Sequence, residues 1–240
     1  MNRAAVGLLL AASLAQAAIT LDNANSTSTT GSGSSLILAN FTVGGGATAL
    51  VVTISGYLGA TSVTSITWNG SQTFSKQIRE YDGSHQAAVE IWALVSPAAG
   101  TGNVAVTLTG TTAGGGWGFS TYSLKGTALA DAFYGTAGTV EACCAFSSIS
   151  DHIILTNTAD WCIDGLVTPG VTVTTASGQT PVLNLVAGNA WAGSSYNSAG
   201  TETAMTWNWT GGMGSAAAHA LLAVKAAAGD AKPGGYSVIM

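Results

Sequence analysis

Residues 88–106 read AVEIWALVSPAAGTGNVAV, and this stretch limits the available folds more than any other. From Val89 to Leu94 the side chains alternate. Val89, Ile91 and Ala93 point one way, and Glu90, Trp92 and Leu94 the other. Pro97 and the small residues Ala98-Ala99-Gly100-Thr101-Gly102 then turn the chain, and Asn103 to Leu108 alternates again. Strand, wide turn and strand predict a β-hairpin or a β-arch. The stretch speaks for a β-fold and holds no obvious chemistry.

The same signal recurs. Short β-runs separated by Gly, Ser, Asn and Thr clusters are expected at 19–22, 36–43, 49–55, 62–68, 73–79, 87–94, 103–108 and 117–124. Further runs fall at 132–135, 152–156, 161–166, 171–175, 182–186, 194–197, 202–209 and 216–225. A spacing of roughly 8–15 residues predicts an all-β fold, a two-sheet antiparallel β-sandwich. Residues 216–228 are Ala-rich enough for a helix on propensity. Leu221, Leu222 and Val224 after a small-residue run favour a buried closing strand. Residues 23–35, NANSTSTTGSGSS, read as a flexible polar loop, and no internal repeat is evident. The expected organisation is a segment at 1–18, one sandwich domain at 19–226 and a tail at 227–240.

Segment 1–18 has the layout of a secretory signal: Arg3, an apolar run around Leu8-Leu9-Leu10, and the A-x-A site Ala15-Gln16-Ala17. The alternative is an apolar arm retained in an assembled particle. The run is too short to span a bilayer.

Composition narrows the partners. Charged residues are 7% of the 240, against a usual ~25%, while 47% are hydrophobic. A core is therefore affordable, and Thr, Ser, Asn and Gln must supply the solvent faces. Such a neutral surface suits self-association, or simply a secreted protein. Six scattered Lys and Arg residues make no basic patch, which argues against nucleic acid and anionic lipid. No membrane contact is expected after processing. Cys143, Cys144 and Cys162 leave an odd count, so Cys162 is a disulfide candidate with either of the other two, and buried free thiols are the alternative. The three do not have zinc spacing.

Catalytic signatures are missing: there is no G-x-S-x-G, H-E-x-x-H or P-loop, and no cofactor or metal is implied. Gly44–Gly46 and Gly114–Gly116 sit between β-runs and read as turns. The densest polar cluster, at 80–90, includes Glu80, Asp82, His85 and Glu90. A turn around Asp82-Gly83 accounts for it better than a metal or acid–base site does. His152 reads as a loop residue and His219 as a core or edge residue. Asp160, Asp164 and Glu202 are carboxylates that a glycoside-cleaving pair would need, and Asp131 with Asp164 could hold calcium.

Aromatic residues are the stronger lead. Trp191, Trp207, Trp209 and Tyr196 are the candidate binding residues, with Trp117, Trp161, Tyr57 and Tyr81 nearby in type. Trp207 and Trp209, two apart on one strand, share a face and could form a stacking platform or pack in the core. Asn25, Asn40, Asn69 and Asn208 lie in glycosylation sequons.

The ordered series SVTSITWNG (62–70), VEIWALVSPAAGTGNVAV (89–106), GFSTYSL (118–124), SSYNSAGTETAMTW (194–207) and AAAHALLAVK (216–225) resembles a jelly-roll-like β-sandwich family of poorly defined function, found in phage virion proteins and in bacterial secreted or surface proteins. The resemblance implies a fold but no catalytic residues. Together these readings give the expectation of a non-enzymatic structural or assembly subunit at an exterior surface, either a virion decoration or fibre or an extracellular assembly. Its partners would be further copies or neighbouring structural subunits. The rival expectation is a secreted carbohydrate-binding or adhesion module with glycans as partners. A secreted glycan-active enzyme is third.

Overall fold

The computed structural model describes residues 17–83, 86–112, 116–141, 147–187, 190–198, 202–210 and 217–228. The alternating runs form antiparallel strands throughout, and the described residues contain no helix. The first half holds β1 (Thr20–Thr29), β2 (Ser35–Val43), β3 (Ala47–Tyr57), β4 (Val63–Trp68), β5 (Gln72–Thr73), β6 (Ser75–Tyr81), β7 (Ala87–Val95), β8 (Gly100–Leu108) and β9 (Trp117–Lys125). The second half holds β10 (Phe133–Glu141), β11 (Ser148–Ile154), β12 (Trp161–Pro169), β13 (Val173–Thr175), β14 (Thr180–Ala187), β15 (Ala190–Asn197), β16 (Glu202–Trp209) and β17 (Ala217–Val224).

The strands make four sheets, not two. A first inner sheet runs β1-β9-β3-β7-β6 and carries an outer sheet β2-β8-β4-β5. A second inner sheet runs β10-β17-β12-β15-β14 and carries an outer sheet β11-β16-β13. Three apolar layers lie between them. Leu50, Val52, Ile54, Trp68, Val104, Val106 and Phe119 fill the first sandwich. Leu166, Trp207 and Trp209 fill one end of the second sandwich, and Ile153, Met205 and Leu221 the other. Between the two inner sheets, Val51, Val89, Ile91, Tyr122 and Leu124 meet Ile163, Val167, Ala220, Leu222 and Val224. Strand β17 is buried along its whole length, and β3, β7 and β9 along most of theirs, because an inner sheet has no solvent side. Gly165 lets the inner sheets close: a Cβ there would lie 2.8 Å from Val89 Cγ1.

A repeat invisible in the sequence emerges from the pairing. Only Phe74 separates β5 from β6, so the two act as one bent strand passing from outer to inner sheet. Counted that way, the first half pairs its strands 1-8-3-6-5 and 2-7-4, and the second half does the same. The side chains differ while the winding is shared, so sequence self-similarity gives no sign of it.

One local expectation is narrowed to one of its two forms, and two change. Residues 88–106 form an arch, with β7 in the inner sheet and β8 in the outer. Most of the expected polar loop at 23–35 is strand, since Asn23 to Thr29 pair with Ser123 to Trp117. Their polarity reflects an edge position, where backbone bonding does not require apolar side chains. His152 belongs to β11 and faces out, beside the inward Asp151. The closing strand at β17 matches expectation. At the chain's described limits, Ala17 N–H donates to Ala227 O at 3.1 Å, so both ends leave from one pole.

Depth decides what a truncation costs. Ile91→Ala, at the fully buried inner-sheet contact, should lower stability by about 2–5 kcal/mol. Ile154→Ala, at a side chain 77% exposed, should stay within about 0.5 kcal/mol. Denaturant unfolding of both variants checks this.

Candidate functional site

The aromatic platform expected of Trp207 and Trp209 does not exist. The two do share a face, but it is the core face: β16 is the centre of its outer sheet, and its inward residues Thr203, Met205, Trp207 and Trp209 are all buried. The outer edge of the Trp207 indole packs on Gly193, where a Cβ would come within 2.9 Å of it. Trp117 and Trp161 are buried too. Tyr196 is half-buried and stacks on Trp161 at 4.7 Å with an interplanar angle of 3°. The Trp191 side chain lies outside the described residues, as do Glu202's, all of His85, Cys143 and Cys144. Cys162 is a free thiol, buried in the second sandwich, and its burial first of all raises its pKa.

What the structure brings together instead is a set of polar groups within the second sandwich. Asp164 on β12 faces the outer sheet with no exposure. Its Oδ1 accepts the Ser195 N–H at 2.6 Å and the Ser195 O–H at 2.7 Å. Its Oδ2 accepts the Trp207 indole N–H at 2.7 Å and lies 3.0 Å from His219 Nε2. The other ring nitrogen, His219 Nδ1, is 3.0 Å from Asp151 Oδ2, an ion-pair distance without hydrogen-bond alignment. Asp151 Oδ1 accepts the Thr139 hydroxyl. Gln179 completes the group: its Nε2 donates to Ser195 Oγ at 3.0 Å, and its Oε1 accepts the Thr206 N–H at 2.7 Å.

An imidazole between two carboxylates is satisfied on both nitrogens only as the imidazolium. Burial by itself would depress the His219 pKa, but the contacts with Asp151 and Asp164 outweigh it and push the value up to about 9. Burial tends to raise Asp151, while His219 and the Thr139 hydroxyl bring it below the ordinary carboxylate value. Sequence placed Asp164 among possible glycosidase or calcium ligands and left His219 in the core. Neither reading joined them, because they lie 55 positions apart and meet only through the β12–β17 pairing. A charged residue in the middle of an apolar strand was the one signal available.

The other carboxylates hold structure in place. Asp160 accepts from the Tyr134 and Thr156 hydroxyls and from the Asn157 and Ala226 backbone, clasping the 156–160 turn to the segment that follows β17. Glu90, fully buried in the first sandwich, accepts the Val63 N–H and the Trp92 indole N–H. Lys76 Nζ reaches it at 3.0 Å and Arg79 Nε at 3.3 Å from the rim. At the expected turn it is the Asp82 backbone that bonds: its carbonyl accepts the Gln86 N–H and its N–H donates to Ala87 O. Among the described residues no group of His, Cys, Asp and Glu has metal-holding geometry. A shallow groove of about 180 Å³ lies where the two sandwiches meet, lined by Gln77, Phe133, Tyr134, Gly135, Thr136 and Leu222. Hydroxyls bridge that same junction deeper in: Ser194 Oγ of the second inner sheet meets Ser120 Oγ at 2.5 Å and accepts Tyr122 OH at 2.8 Å, and Ser120 meets Thr53 Oγ1 at 2.6 Å.

The class these features define is an all-β protein of antiparallel sandwiches. No protein-family model, curated protein or solved structure matches the chain.

Two outcomes follow. Because the His219 pKa is raised above its unfolded value of ~6.5, its stabilisation is complete below that pH and disappears as pH climbs through about 9. Unfolding free energy should fall across pH 6.5–9, and His219→Gln should flatten that slope in denaturant titrations. In the first sandwich, Lys76→Met with Arg79→Met leaves a buried charge on Glu90 and should cost about 3–5 kcal/mol. Glu90→Gln should cost less, since the freed cations are partly exposed and hydrate. Paired chemical melts separate the two.

Proposed function

We propose that this chain is a non-enzymatic structural subunit of an exterior assembly, a virion decoration or fibre or an extracellular array. On this reading segment 1–18 is a secretory signal or an assembly arm. Each half is a jelly-roll sandwich, which the shared 1-8-3-6 and 2-7-4 strand order supports. The resemblance to jelly-roll-like virion and secreted proteins belongs to the same reading.

One observation carries it: several carboxylates are buried, and two edge strands carry no charged residue. Edge strand β2, SLILANFTV, has no charged residue in nine and exposes Ile37 at 53%. Edge strand β14, TPVLNLVA, is also uncharged. Free edges are usually guarded by charge, above all by Lys, because an unguarded edge pairs with another chain. A neutral edge fits a protein whose task is to pair. The buried carboxylates have donors or cations of this chain as partners, and none opens onto a cleft of the described surface.

Light scattering and sedimentation over a rising concentration series test this. The full chain should build large particles, and Ile37→Lys should suppress them at unchanged thermal stability. A wild type that stays monomeric at high concentration overturns the proposal. Glycan binding lost on Phe133→Ala would put the adhesion reading in its place, with the groove at Gln77 and Phe133 as the site instead of Trp207 and Trp209.

A further inference from the structure

The second sandwich contains a hydroxyl nucleophile, a base and an acyl group in hydrogen-bond contact, sealed from solvent. Ser195 and Asp164 have no exposure, and Gln179 is 8% exposed. The Ser195 O–H points at a carboxylate oxygen 2.7 Å away, which is the proton acceptor that a weak hydroxyl nucleophile needs. Trp207 and His219 hold that carboxylate in place through its other oxygen. An arrangement closed to substrates from outside can act only on a group enclosed with it. The Gln179 side-chain amide touches Ser195 Oγ, at 3.0 Å through Nε2. Its carbonyl oxygen accepts the Thr206 backbone N–H at 2.7 Å, which holds the amide beside the hydroxyl.

We propose that Gln179 and Ser195 join in an intramolecular ester, formed once per molecule after folding. The hydroxyl now meets the amide nitrogen, so a shift of the Gln179 side chain about its Cα–Cβ and Cβ–Cγ bonds, releasing the Thr206 N–H, brings the carbonyl carbon to Ser195 Oγ. Asp164 Oδ1 takes the hydroxyl proton as the Oγ–Cδ bond forms. The Cδ–Nε2 bond then breaks, and the proton held by Asp164 goes to the departing nitrogen. The amide's two hydrogens and that proton leave as ammonia, and Asp164 returns to its carboxylate form. No oxidant or reductant is consumed. Gln179 sits at the edge of the buried region, which gives ammonia a way out. Ser195 Oγ and Asp164 are the catalytic groups, and His219 and Trp207 position the carboxylate. The bond would tie the segment before β14 to β15 and so staple the outer edge of the second inner sheet. That role is independent of whether copies of the chain assemble.

Mass spectrometry of the purified, folded full chain decides it, with the start of the chain fixed by terminal sequencing. The wild type should be lighter than its sequence by one ammonia. Digestion with chymotrypsin, which cuts at Leu183 and Leu185 between the two residues, should yield a peptide pair joined at Gln179 and Ser195 and opened by mild alkali. Ser195→Ala should carry its full sequence mass, and Asp164→Asn should convert slowly or not at all. A folded wild type of full mass overturns the proposal. So does an ammonia loss that persists in Ser195→Ala, or a cross-link at any other pair.

Discussion

The contact between the two five-stranded sheets is the constraint from which the rest follows. A sheet covered on both faces has no solvent side, so its strands must be apolar or internally paired at every position. That explains the unbroken burial of β17 and the small residues Ala218 and Ala220 on its inter-sheet face. It also explains where the charge went. With only 7% charged residues, the chain sets several of its carboxylates inside, each provided with donors. Asp164 has four, Asp160 has four, and Glu90 has two indole or backbone donors and two cations. An unpaired carboxylate at those depths would cost more than the fold could tolerate.

These groups also differ in kind between the halves, although the winding is the same. In the first sandwich the buried acid is met by long cations that reach in from the rim. In the second, the acid is met by an imidazole and an indole that are themselves buried. The first arrangement leaves the two cations partly hydrated at the rim. The second binds a proton as a structural component. A duplicated fold has thus found two solutions to the same problem, a carboxylate in the core of a sandwich.

Much of the architecture could be read from residues. Period-two alternation located the strands, and the Ala-rich segment at 216–225 was distinguishable from a helix because leucines and a valine follow its small residues. The layer count was not legible, since an apolar run such as Leu50 to Ile54 looks the same whether one sheet or two cover it. The duplication was hidden because pairing order is a property of the backbone and leaves no motif. For the site, Trp207 and Trp209 were placed on one face correctly, but alternation cannot say which face is inside. Asp164, Ser195 and His219 come from three separate strands, and no local spacing links them. Only the sheet register does.

The hydrogen bond from Ala17 to Ala227 closes the described chain almost into a ring. Anything attached beyond either residue departs from the same pole, whether an anchor, a tag or a further domain. The opposite pole is then presented outward whichever end is held. For the same reason, joining the two ends and reopening the chain at a surface turn would rearrange connectivity while leaving every sheet intact.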